Sequence, residues 1–348
     1  MTGRLRSGPW HRGLAWLLRN FYFRVRVVGA SPVSRPGQVI LCSHRNGAID
    51  GYLLLAAFPD AKFLVSVQLL RNPLLRLMFG GIPVARDKDV ARYGVSKQQF
   101  PNPIAAGMAC LQAGGCLAIF PEGSSEWGPH PLPYEPGAAR IVRMALAEGL
   151  AVEVVPVGLF YDAPDRFRSR AEVLVGEAIA LPARGDDDKR AWEARIRAAL
   201  NQGLDAVSVN CPDAASFADV ETLARTDAGR GDSYALAFKA HETKARAGEA
   251  LAVAAAAVDP PAAAPRRFWN WPCSAAFVVL LAPVLALAGW AGSKADGRNT
   301  TSFFRLAGGF AAALLWLPTL ALLFYLHPLV LAPVGLLAGI GWWRWGRA

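Results

Sequence analysis

The stretch Ser43-His44-Arg45-Asn46-Gly47-Ala48-Ile49-Asp50 places an imidazole and a carboxylate in one short segment, with five residues between them. Ahead of it, Gln38 to Cys42 reads as a short buried strand, so the imidazole emerges at a strand end. Asn46-Gly47 is turn chemistry, and Asp50 opens an apolar helical stretch. Folded back by that turn, Asp50 can reach the ring nitrogen that faces away from a substrate. A carboxylate there fixes the tautomer and stabilises the imidazolium as it forms, which leaves His44 to work as a general base. On one continuous helix, positions i and i+6 would point to different faces, so the turn is required. Alone, the pair carries a second reading, a helix-capping Asp beside a structural His.

Three further blocks follow in order. Gly80-Gly81-Ile82-Pro83-Val84-Ala85-Arg86 combines glycines, which allow close backbone approach, with a planar donor fork suited to phosphate. Phe120-Pro121-Glu122-Gly123-Ser124-Ser125 ends an apolar strand, the place where open α/β sheets bind ligands. Glu122 there could bind hydroxyls while the backbone at Gly123 lines a ligand; a plain strand-ending turn is the other reading. Val155-Pro156-Val157-Gly158-Leu159 is an apolar strand that either borders an acyl pocket or belongs to the core.

The elements that must position these residues alternate between strand and helix character. Strand patterns cover Phe23 to Gly29, Ala61 to Val67, Gly81 to Val84, Cys116 to Phe120, Val152 to Phe160 and Glu172 to Ile179. Helical patterns cover Asp50 to Phe58, Pro103 to Ala113, Gly137 to Glu148 and Asp187 to Ala206. This alternation predicts an α/β domain. Before it, Pro9 to Phe23 reads as an amphipathic helix rich in Trp and Arg, either an interfacial anchor or a helix packed on the domain's own core.

The order and spacing of the four blocks resemble the glycerolipid acyltransferase family, which includes lysophosphatidic acid and glycerol-phosphate acyltransferases. Its members carry a His and an Asp with four residues between them, a Gly-x-Ile-x-x-x-Arg block, Phe-Pro-Glu-Gly and a Val-Pro-Val strand. The resemblance covers roughly residues 10–210. It implies an α/β fold with a mixed sheet flanked by helices, and acyl transfer from acyl-CoA or acyl carrier protein to a hydroxyl of a lysophospholipid or related glycerolipid precursor. His44 would deprotonate the hydroxyl and Asp50 would hold His44. Arg86 would bind an acceptor phosphate, Glu122 and Gly123 would seat the acceptor, and Arg45 and Ser124 join the substrate-binding set. No covalent intermediate, cofactor or metal is implied. The chain departs from the family pattern in two places: the extra residue between His44 and Asp50, and Ser124-Ser125 with Tyr134-Glu135-Pro136-Gly137 where Thr-Arg and a basic stretch are customary. Arg140 or Arg143 could replace the missing cations, or simply face solvent. The acceptor class stays open.

The chain has 348 residues, 53% of them hydrophobic, and a net charge of +10. That balance suits phospholipid head groups or phosphorylated small molecules; outside the N-terminal helix no basic run with interleaved aromatics suggests nucleic acid. The five cysteines show no C-x-x-C pair, which fits a reducing cytoplasmic setting. Trp271 to Gly292 and Leu306 to Leu326 lack charged residues and reach the roughly 20 residues a spanning helix needs; Leu329 to Trp343 is a shorter third run. Tryptophans at the run ends fit an aromatic belt. The expected organisation is therefore an amphipathic helix (1–24), an acyltransferase domain (25–210), a helical Ala/Pro linker (211–267) and a membrane domain with two or three transmembrane helices (268–348), the catalytic domain facing the cytoplasm. Two alternatives remain: an acyl thioester hydrolase, in which the same pair activates water, and a non-catalytic lipid-binding membrane protein.

Overall fold

The computed structural model describes residues 8–84, 102–251 and 270–345. In chain order the first part runs α1 (Pro9–Tyr22), β1 (Arg24–Gly29), β2 (Gln38–Cys42), α2 (Ile49–Ala57), β3 (Lys62–Ser66), α3 (Val67–Arg71), α4 (Pro73–Met78), β4 (Ile82–Val84), α5 (Pro103–Gln112), β5 (Leu117–Ile119), α6 (Gly137–Ala147), β6 (Glu153–Tyr161), β7 (Arg170–Val175), α7 (Lys189–Val207), α8 (Ala214–Gly229) and α9 (Tyr234–Arg246). The strands form one seven-stranded sheet in the order β1-β7-β6-β2-β5-β3-β4. Every neighbouring pair is parallel except β6 with β7. The mixed sheet flanked by helices agrees with the expected fold class.

β2 explains why the site sits where it does. All five of its residues are buried, as a central parallel strand covered on both faces requires. Alternation sends Val39 and Leu41 into a cluster with Met108, Ile141, Ile196 and Leu204 from α5, α6 and α7. β2 lies between β5 and β6, all three parallel, so their carboxyl ends converge on one edge of the sheet. His44, Glu122 and Tyr161 all follow or close those ends.

Three local features differ from the sequence expectation. The strand expected at Glu172 to Ile179 is Arg170–Val175. Beyond the Val157–Val175 pair the ladder meets Pro156, which has no N–H to give. The helices α3 and α4 occupy a stretch for which the sequence predicted nothing. The start of α4 is marked by Asn72, whose side chain accepts from the N–H of Leu74 and Leu75. Most consequential, residues 211–251 are not a linker. α8 and α9 belong to the same compact unit as the sheet, because Phe217, Val220, Ala224, Tyr234 and Phe238 are buried in its core.

A second compact unit comprises residues 163–169 and 252–348. Its described helices are α10 (Asn270–Leu280), α11 (Ala282–Gly292), α12 (Arg298–Leu326) and α13 (Pro328–Arg344). The run expected as one span from Trp271 to Gly292 is two helices that meet at a 79° bend. The break at Leu281 precedes Pro283, whose ring would clash with the carbonyl one turn back. Among the described residues α12 is the one helix long and apolar enough to cross a membrane alone; the bent pair makes a second if it is a single span. Glycines let these helices approach closely: a Cβ at Gly341 would lie 2.2 Å from the Cys273 carbonyl oxygen, and one at Gly308 2.5 Å from Ala291 Cβ. The unit's own 163–169 segment is gripped by side chains: Arg298 pairs with Asp165 at 3.1 Å, and the Arg168 guanidinium lies 4.4 Å over Trp342.

Candidate active site

The His44–Asp50 pair forms as the spacing requires. Gly47 takes a left-handed backbone (φ 59°), a conformation cheap for glycine, and its carbonyl accepts the Asp50 N–H at 3.2 Å. That turn absorbs the extra residue and brings Asp50, in the first turn of α2, back onto the strand end. Asp50 Oδ2 lies 2.7 Å from His44 Nδ1 and also accepts the backbone N–H groups of Arg45 at 2.6 Å and Asn46 at 2.8 Å. Its other oxygen accepts the Tyr161 hydroxyl at 2.5 Å. Four donors thus converge on a carboxylate that is fully buried. Since a carboxylate only accepts, the tautomer follows: Nδ1 carries the proton and Nε2 keeps its lone pair. The imidazole is 17% exposed, and among the described residues no protein group hydrogen-bonds to Nε2.

Glu122 comes close to His44, in a role other than the expected one. Its Oε1 accepts the His44 backbone N–H at 2.7 Å, and Oε2 accepts the Leu132 N–H at 3.0 Å. Burial pushes this carboxyl up, while the two N–H donors and the charge of Arg45 pull it back. Each oxygen holds a backbone N–H, so Glu122 fastens the base in place. Beside it Gly123 is left-handed (φ 63°) with open space where a Cβ would be, and Ser124 is exposed. Phe120 walls the imidazole, its ring centroid 4.8 Å away.

The other candidate residues take these places. Arg45 is buried and turned inward. The Val155–Leu159 block takes the core-strand reading: it lies in β6, between β2 and β7. The Leu159 N–H donates to Ser43 Oγ at 3.0 Å, which ties β6 to the catalytic strand. Gly81 serves packing, since a Cβ there would lie 2.3 Å from Val65 Cγ2. Arg86 falls outside the described residues. Tyr161 escaped the sequence reading altogether; its one signal was its place at the end of a long apolar strand.

Arg140 and Arg143 do not replace the missing cations. Both pair with Glu193 of α7, at 3.3 and 2.9 Å. Burial alone would raise Glu193, but the hydrogen bonds and charges of Arg143 and Arg140 outweigh it and hold the carboxyl below its ordinary value of 4.5. A depressed carboxylate contributes stability above its unfolded value and loses it as pH falls through the folded one. Glu193→Gln is therefore expected to cost roughly 1 kcal/mol at neutral pH. The difference in thermal midpoint from the wild type should close progressively below about pH 4.5, which melting curves across that range would check.

With this geometry in view, the comparisons with known proteins bear on the same residues. A family model described as Acyltransferase matches residues 24–159, the span that holds β1 to β6 with His44, Asp50 and Glu122. Over these residues the chain is similar to acyltransferases. This chain is 36% identical over 109 residues to glycerol-3-phosphate O-acyltransferase 2 of Saccharomyces cerevisiae, and 30% identical over 123 residues to glycerol-3-phosphate O-acyltransferase 1 of the same yeast. The matches cover 30% and 33% of this chain but only 15% and 16% of those relatives. The crystal structure of the 1-acyl-sn-glycerophosphate (LPA) acyltransferase from Thermotoga maritima superposes with a TM-score of 0.40 at 13% identity, over 56% of this chain and 77% of that one.

Proposed function

We propose that this chain is a membrane-bound O-acyltransferase that moves a fatty acyl group from acyl-CoA or acyl carrier protein to a hydroxyl of a lysophospholipid or related glycerolipid precursor. The observation that carries the reading is the His44 ring itself: Nδ1 is fixed by a buried carboxylate, and Nε2, at the carboxyl ends of parallel strands, has no hydrogen-bond partner among the described residues. The acceptor hydroxyl gives its proton to Nε2 as its oxygen attacks the thioester carbonyl. The new C–O bond forms, the C–S bond breaks, and the imidazolium returns the proton to the departing thiolate. Asp50 stabilises the imidazolium between those steps.

A covalent acyl-enzyme is not needed, and the nearest thiol argues against one. Burial pushes Cys42 well above its ordinary value, and the charges of Asp50 and Glu122 push it further, whereas a nucleophilic cysteine requires the thiolate. Arg86 is the cation we assign to an acceptor phosphate, and Ser124 and the open backbone at Gly123 are the polar groups we assign beside the acceptor hydroxyl. No cofactor enters the scheme.

Membrane residence is part of the same proposal. In the second unit Leu329 is 91% exposed, Tyr325 82% and Leu315 78%, an apolar surface suited to lipid rather than water. In the first, α1 buries Leu14, Ala15, Leu18 and Tyr22 in the domain core, yet leaves Trp10, Trp16 and Leu17 exposed on its opposite face. The buried face takes the core reading, and the exposed face suits a membrane interface. Four of the five free, buried cysteines lie in the first unit, which suits a catalytic domain on the reducing cytoplasmic side.

The test is direct. The detergent-solubilised full chain is given labelled acyl-CoA or acyl carrier protein with glycerol-3-phosphate, lysophosphatidic acid, other lysophospholipids and lyso-aminolipids in turn. Label is expected in one lipid product and in no other. Free fatty acid that no acceptor redirects would assign hydrolysis instead; no turnover with any pair would remove the enzymatic reading.

A further inference from the structure

Arg45 follows the base directly in sequence, yet its side chain leaves the site. The guanidinium carbon lies 4.8 Å from the Trp127 ring centroid and 5.7 Å from that of Phe217. Nη1 donates to the Gly128 carbonyl at 3.0 Å. The void beside these groups is about 10 Å³, room for about one water and for no substrate group. Meanwhile the Arg45 backbone N–H makes the shortest of the three hydrogen bonds to Asp50 Oδ2, at 2.6 Å. One residue therefore has two grips: its side chain on the 127–128 loop and α8, its backbone on the carboxylate that orients the base.

The choice of arginine has a cost that space-filling does not explain. Burial draws the guanidinium down from its ordinary value, and the charges of Glu122, Asp50 and Glu221 offset this. A buried cation is seldom better than an apolar residue of similar volume for stability alone. What arginine adds is a flat, delocalised cation that stacks on aromatic faces, which lysine cannot match.

We propose that Arg45 is a positioning residue: its stack between Trp127 and Phe217 holds the residue 45 N–H against Asp50 and so fixes the His44–Asp50 hydrogen bond. α8, which lies beyond residues 24–159, becomes part of the support of the active site. The kinetic consequence rests on the acyl-transfer reading; the effect on the hydrogen bond does not.

The experiment uses the full chain and four variants: Arg45→Lys, Phe217→Leu, Phe217→Tyr as a ring-retaining control, and His44→Gln to assign the resonance. The readouts are the low-field proton signal of His44 Nδ1–H, kcat and KM for labelled acyl transfer, and the thermal midpoint. Arg45→Lys and Phe217→Leu are expected to shift that signal upfield or broaden it, and to lower kcat about tenfold to hundredfold with KM changed less than about twofold. Phe217→Tyr should keep both the signal and the rate. Folded variants with the wild-type signal and kcat would overturn the proposal, as would lower midpoints with an unmoved signal. A raised KM at unchanged kcat would return Arg45 to substrate binding. Should Arg45→Lys fail to fold, Phe217→Leu, which leaves Arg45 itself in place, decides. A moved signal in a protein with no acyl transfer would sustain the positioning role while removing the acyl-transfer reading.

Discussion

His44→Ala is expected to slow acyl transfer by about 10²- to 10⁴-fold while the protein stays folded. The rate falls because, among the described residues, no other group is placed to take the acceptor's proton. Among the groups around the ring, Glu122 has both oxygens on backbone N–H groups and Asp50 is fully buried behind it. The fold survives because the imidazole supplies only one of four donors to Asp50. The N–H groups of Arg45 and Asn46 and the Tyr161 hydroxyl remain, so the loss is that of one hydrogen bond, about 1 kcal/mol. Initial rates of labelled transfer beside a melting curve separate the two effects. Full transfer by the folded His44→Ala protein would remove the base from the scheme.

How much of this was legible in the sequence depends on the range over which each relation acts. The dyad was legible because everything that forms it is local: a buried strand, an Asn-Gly turn and an acid at a helix start. The sheet was legible for the same reason, strand by strand. Its register was not, and the register decides Tyr161. Cys42 pairs with Val157, which carries Tyr161 to the edge where Asp50 lies, across 111 residues of sequence. Charged residues were read as reaching outward, the usual habit of surface Arg and Glu. Arg45 and Glu122 do the reverse, because β5, the 127–132 loop and α8 close over them. The error at α8 has its own cause. Its alanine-rich composition looked like a linker, while Phe217, Val220, Ala224 and Ala228 already followed the i, i+3, i+7, i+11 spacing of a buried helical face. In the tail the apolar runs were plain, but run length says nothing of direction, and Pro283 turns the first run into two helices.

Asp50→Asn is the second large effect, and its value lies in what it leaves untouched. Asp50→Ala would strip an acceptor from three buried donors, the N–H groups of residues 45 and 46 and the Tyr161 hydroxyl. At about 1–3 kcal/mol for each buried group left unpaired, that change could unfold the turn, and a lost activity would then say nothing about chemistry. Asparagine keeps the shape. Its oxygen can accept from residues 44, 45 and 46 in the place of Oδ2, and its amide can donate to the Tyr161 oxygen once that hydroxyl rotates. What it removes is the negative charge that stabilises the imidazolium in the transition state. The expected result is a fall in kcat of about 10³- to 10⁴-fold, KM little changed, and a thermal midpoint close to that of the wild type. That pattern places the loss in the transition state rather than in binding. A folded Asp50→Asn protein with wild-type kcat would mean that the carboxylate only caps α2 and shapes the turn, the commoner fate of an aspartate beside a histidine. The buried network around it would then need another explanation, because a cap requires neither the full burial of Asp50 nor the hydroxyl that Tyr161 brings to it from β6.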